Sequence, residues 1–113
     1  MLNPNLPEPD LLKTVLQPLL EDFQYWFGRS RSFLEAEEIS FLGTDGQADL
    51  LARVMQAQQE VSTAKMLLNA TDGKVGVEME VLMPWLKLLT ECWLVSMRNR
   101  MEKSNNAQPP QVG

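Results

Sequence analysis

Leu50, Val54, Ala57, Val61, Ala64 and Leu68 recur at intervals of four, three, four, three and four residues. That spacing puts one apolar side chain per turn on a single narrow face of a helix, and a strand, whose faces alternate every second residue, cannot use it. Two alanines in the seam let a neighbouring helix approach closely. The helix is expected over 45–70. Thr44 and Gln47 have capping-box spacing at its start, and Gly73 lies just beyond its end.

A helix with so narrow an apolar face cannot bury it alone, so partners are required from the rest of the chain. The segment 10–39 supplies one. At about 100° per residue, Leu12, Val15, Leu16, Leu19, Leu20, Phe23, Trp26, Phe27, Phe33 and Leu34 fall in one arc roughly 140° wide. Asp10 is a good N-cap for it. Pro18 lies inside the segment and is expected either to break or to kink it, and Gly28 weakens it locally.

The segment 75–103 supplies the other partner. Val75, Val77, Met79 and Val81 alternate with polar residues or glycine, as in a strand. A single strand would have no partner for its backbone, so a helix is the better reading. Val75, Met79, Leu82, Leu86, Leu89, Trp93 and Met97 then form one apolar ridge. Val77, Val81, Trp85, Leu88, Cys92 and Val95 form a second. Pro84 is a kink or the first residue of the firm part.

Short Gly-containing connections, FLGTDG and NATDGKVG, make successive helices antiparallel neighbours. The predicted fold is all-α: three long antiparallel helices in an up-down-up bundle over residues 10–103. A flexible proline-rich leader (1–9) precedes it and a disordered tail (104–113) follows.

The composition excludes several chemistries. Histidine is absent and Cys92 is the lone cysteine. His-based triads, zinc sites built from His and Cys, and an intramolecular disulfide therefore cannot form. The chain carries 10 Lys and Arg against 15 Asp and Glu, a net charge of −5, which disfavours a nucleic-acid partner. No apolar run is long enough to span a membrane, and the first ten residues, with three prolines and no basic residue, do not read as a secretory signal. Neither a catalytic nor a metal or cofactor site is expected, and the compartment that fits is the cytoplasm.

Each candidate group was weighed against a plain structural role. Glu21 and Asp22 are adjacent and point about 100° apart on a helix, so they do not converge, and like Glu78 and Glu80 they read as a solvated face. Arg29 and Arg31 could hold a phosphate, but no Gly-rich loop accompanies them. Phe23, Trp26 and Phe27 lie inside the first apolar arc and read as core, with Tyr25 off it. Cys92 reads as a buried, inert thiol. The third helix is apolar over an arc about 200° wide, which contact with two neighbouring helices can account for; the functional reading of the surplus is a protein-partner surface at Val81, Trp85, Leu88, Cys92 and Val95, with Tyr25 as a further candidate. Large aromatics dominate interface energies, so Trp85 is its expected hot spot. A non-catalytic interaction protein follows, with a homodimer as one form of the complex. The alternative is a peripheral membrane protein lying on lipid through its first helix, where Tyr25, Trp26, Arg29 and Arg31 would meet the interface.

The stretches LLEDFQYWFGRSR, QADLLARVMQAQQEV, NATDG-VGVEM and LMPW…LLTECW resemble a cyanobacterial family of small proteins described as a domain of unknown function. The likeness runs from about Leu16 to Arg100. It implies a cyanobacterial cytoplasm or the nearby thylakoid surface, and it brings no activity and no site residues.

Overall fold

The computed structural model describes residues 9–74 and 77–107. They form three helices, α1 (Pro9–Ala36), α2 (Gly43–Ala70) and α3 (Met79–Ala107), and among the described residues there is no strand. The expected leader over 1–8 and tail over 108–113 lie outside the described residues. α3 runs on through 104–107, four residues assigned by sequence to the tail. Ser, Asn and Ala there can all continue a helix, and the first strong breaker is Pro109.

Cross-helix contacts fix the topology. Arg31 meets Gln58, and Lys65 reaches back to Gln24, so α1 and α2 are antiparallel. Trp85 reaches Glu60 and Glu91 reaches Arg53, so α3 is antiparallel to α2. Phe23 lies against Trp85 and Glu37 pairs with Lys103, so α3 runs parallel to α1. The up-down-up arrangement follows. α1 and α2 pack closely along their length, whereas the backbone of α3 approaches both at fewer places.

Both internal prolines are carried inside continuous helices. α1 passes through Pro18 and α3 through Pro84. Pro9 opens α1, where a missing N–H costs nothing, so Asp10 falls within the first turn rather than before it.

The core is built from the expected faces of α1 and α2. Leu16, Leu20, Phe23, Phe27 and Leu34 of α1 meet Leu50, Val54, Ala57, Val61 and Leu68 of α2, all of them buried. Burying a Leu, Val or Phe stabilises by about 1.5–3 kcal/mol each. Leu82, Trp85 and Cys92 of α3 and Ile39 of the first connection close this core.

The first connection is held by Gln47. Its Nε2 donates to the carbonyls of Leu34 (2.8 Å) and Glu37 (2.6 Å), and its Oε1 accepts from the Ile39 N–H (2.9 Å). These contacts satisfy carbonyls that a helix end leaves orphaned. The capping-box reading of Thr44 and Gln47 is thereby corrected. The N-cap of α2 is Leu42, with no side-chain cap, because Gln47 is committed to the end of α1 instead. Gly43 turns the chain with a φ of 70°. At the other end of α2, Gly73 N–H bonds to Leu68 O and Asp72 N–H to Asn69 O, with Asp72 at a φ of 52°. This is the left-handed closure that commonly ends helices. Lys13 of α1 ties to Asp72 at 3.1 Å.

Candidate functional site

α3 carries more apolar surface than a third helix needs, and the structure decides which part faces inward. Trp85 is only 2% exposed. Its ring meets Phe23 edge-on, with centroids 5.4 Å apart, and its Nε1 donates to Glu60 Oε1 at 2.9 Å. Cys92 is buried, and Leu88 and Val95 pack against the core. Of the ridge singled out as a partner surface, Val81 alone is classed as exposed. The ridge is therefore an inner face, and Trp85 is a core residue rather than an interface hot spot. Tyr25 is exposed, as its position off the α1 arc implies, and its ring meets Trp26 edge-on at 5.0 Å.

What faces outward is another set. Met79, Met83, Leu86, Trp93, Leu94, Met97 and Met101 are all exposed, with Trp93 at 60%. At about 100° per residue they occupy an arc roughly 100° wide, centred on the side of α3 away from the core. Thr90 completes a run of 79, 83, 86, 90, 93 and 97, which is the four–three spacing of a helix-pairing seam. The stripe leaves seven large apolar side chains between 37% and 65% exposed along one face, a contiguous patch of the kind that marks interaction sites.

Sequence reasoning assigned Met79, Leu86, Trp93 and Met97 to the buried ridge and missed Met83, Leu94 and Met101 altogether. Residue type did not separate the two, because valine, cysteine, leucine and methionine are all commonly buried.

Trp26 departs from expectation in the same way. It lies at the margin of the α1 arc, on the side where α3 approaches less closely, and remains half exposed. Trp26 and Phe33 of α1, with Leu89 and Trp93 of α3, line a groove of about 820 Å³. Arg29, Asn99 and Arg100 also line it. This groove continues the outer stripe through Trp93.

The charged groups are distributed, not clustered. Arg53 of α2 forms a two-pronged bridge to Glu91 of α3 (2.7 and 2.8 Å) and also meets Asp49. The guanidinium holds the Glu91 carboxyl below its ordinary value of 4.5, and the carboxylate raises Arg53 in turn. Arg98 lies 4.1 Å over the Phe41 ring and pairs with Glu102. Arg31 is engaged by Glu35 and Gln58. Glu21 faces Lys65 at 3.7 Å. Glu78, Glu80, Lys87 and Arg100 have no ion-pair partner among the described residues. Burial pushes the Cys92 thiol up, against a lowering hydrogen bond from Ser30. Among the described residues no three acidic or cysteine side chains are grouped to hold a metal, and no helix is long and apolar enough to cross a membrane.

The model of a family described as "Protein of unknown function (DUF2605)" matches residues 6–101. No curated protein and no solved structure matches the chain.

Proposed function

We propose that this chain, which belongs to the DUF2605 family, is a non-catalytic interaction protein that binds another protein helix along the outer stripe of α3. The observation that carries the reading is the stripe itself: a helix-pairing seam over residues 79–101 that the described residues leave exposed. Methionine suits such a surface, because its unbranched, polarisable side chain repacks against different neighbours. Trp93, flanked by leucine and methionine, takes the hot-spot role first given to Trp85.

Glu91, the carboxylate whose charged form is most favoured, is committed to its ion pair with Arg53. The membrane alternative rests on the exposed Tyr25, Trp26 and Arg29, while most of the apolar arc of α1 lies in the core, Val15 apart. The likeness in sequence wording makes a cyanobacterial cell the setting to examine.

Affinity capture from native lysate with wild type and Trp93→Glu as parallel baits tests the proposal. A protein retained by the wild type and lost by the folded variant supports it. Identical recovery by both baits refutes it.

A further inference from the structure

The outer stripe has a charged flank whose order is self-complementary. Along it, Glu80, Lys87, Glu91 and Arg98 follow one another at intervals of seven, four and seven residues. At about 100° per residue all four fall within an arc roughly 40° wide. The signs run minus, plus, minus, plus. Read backwards they run plus, minus, plus, minus.

We infer that the stripe is an antiparallel homodimer interface, in which α3 of one copy lies against α3 of a second. This rests on the reading of the stripe as an interaction surface and names its occupant. A two-fold axis perpendicular to both helices reverses their direction but brings the same flank of each together. With the axis at residue 89, Glu80 faces the second copy's Arg98 and Lys87 faces its Glu91. Symmetry makes each pair twice. A parallel two-fold arrangement instead sets this flank against the opposite flank of the second copy, so these four charges do not meet one another.

The apolar residues fit the same register. Met79 falls between Met97 and Met101 of the second copy, and Met83 between Trp93 and Met97. Side chains thus enter gaps rather than colliding, as in knobs-into-holes packing. Glu80 and Lys87 have no ion-pair partner among the described residues, so the second copy supplies one. Glu91, although bridged to Arg53, is still half exposed and can accept from a second cation.

Sedimentation equilibrium on the purified full chain tests this. The wild type is expected to be dimeric at tens of micromolar, and Trp93→Glu to be monomeric with its helicity intact. Glu80→Arg and Arg98→Glu alone each place like charges opposite one another, and each is expected to weaken association about tenfold at low salt. An equal mixture of those two variants restores opposite charges across the interface and is expected to recover the wild-type affinity as a mixed dimer. A wild type that stays monomeric at millimolar concentration overturns the assignment of a second copy. The wider interaction reading then still stands or falls on whether Trp93→Glu loses a captured partner. A dimer that survives Trp93→Glu, or a mixture that recovers nothing, overturns the α3 antiparallel interface.

Discussion

Trp85 Nε1 donates to Glu60 Oε1 across the α2–α3 contact at 2.9 Å, at the point where the Trp85 ring closes the core over Phe23. The bond gives the one polar atom of a buried indole its partner, so the ring can enter the core without leaving a donor unsatisfied. It also sets the rotation of α3, because the ridge bearing Trp85 must face Glu60. Trp85→Ala is expected to cost about 3–5 kcal/mol. Trp85→Phe keeps most of the volume and removes the donor, so the loss should be smaller. Urea denaturation checks both, and equal losses for the two would show that the bond, not the volume, matters.

The sequence made the helices and their order legible, but not the rotation of α3. The α2 seam from Leu50 to Leu68 and the centre of the α1 arc at Leu20, Phe23 and Phe27 lie in the core as their spacing requires. A narrow apolar face leaves one way to turn a helix. α3 is apolar over about 200° of its circumference, and a wheel cannot say which part of so wide an arc is covered. Two neighbours cover it only in part, because α3 stands further from both. Gln47 was legible as a helix-end residue, yet its spacing to Thr44 pointed to the wrong helix. Reaching a carbonyl thirteen residues earlier depends on how the connection folds, which no local pattern records.

Gln47 should therefore be more sensitive than an ordinary half-buried glutamine. Gln47→Ala removes partners from the Leu34 and Glu37 carbonyls and from the Ile39 N–H. The expected cost is about 1–3 kcal/mol, the range for leaving buried backbone groups unsatisfied. Gln47→Glu retains an acceptor for Ile39 but cannot donate when ionised, so it should also destabilise. Thermal unfolding measures both, and a Gln47→Glu variant as stable as wild type would mean that the two donated bonds contribute little.

Two glycines should respond in opposite directions. At Gly28, inside α1, an added Cβ meets only Gln58 Nε2 at 3.9 Å, an ordinary contact. Gly28→Ala is expected to stabilise by about 0.5–1 kcal/mol through helix propensity. At Gly43 the space is open, but φ is 70°, which disfavours any residue with a Cβ. Gly43→Ala is expected to destabilise by about 1–2 kcal/mol. Denaturation midpoints of the two variants on opposite sides of wild type confirm the assignment.

The Arg53–Glu91 bridge makes a contribution that depends on acid and on salt. The folded-state pKa of Glu91 is depressed, so its stabilisation is fully present above the unfolded carboxyl value and is lost as pH falls through the folded one. Both side chains are 45% exposed, so solvent screens the pair and holds its worth to at most about 1 kcal/mol. Glu91→Gln should flatten the fall in stability below about pH 4.5 relative to wild type, and the difference should shrink in molar salt. Parallel acid titrations of unfolding free energy would expose a bridge of no consequence as two superimposable curves.

Cys92 reports whether α3 leaves the core. Only 6% of the residue is exposed, and burial pushes its thiol up, so little thiolate exists at neutral pH and little of it meets solvent. Modification by an aromatic disulfide reagent must then wait for α3 to separate from α1, near Ser30. The folded wild type is expected to react far more slowly than the urea-unfolded chain. Trp85→Ala, which loosens the α3 contact seven residues earlier, should speed the reaction well beyond any effect of Trp93→Gln on the outer stripe. If Trp93→Gln accelerated it as much as Trp85→Ala, the stripe would be contributing to the monomer's own stability, and its availability to a second helix would be in doubt. A rate unchanged by Trp93→Gln leaves the inner ridge holding the fold and the outer one open for pairing.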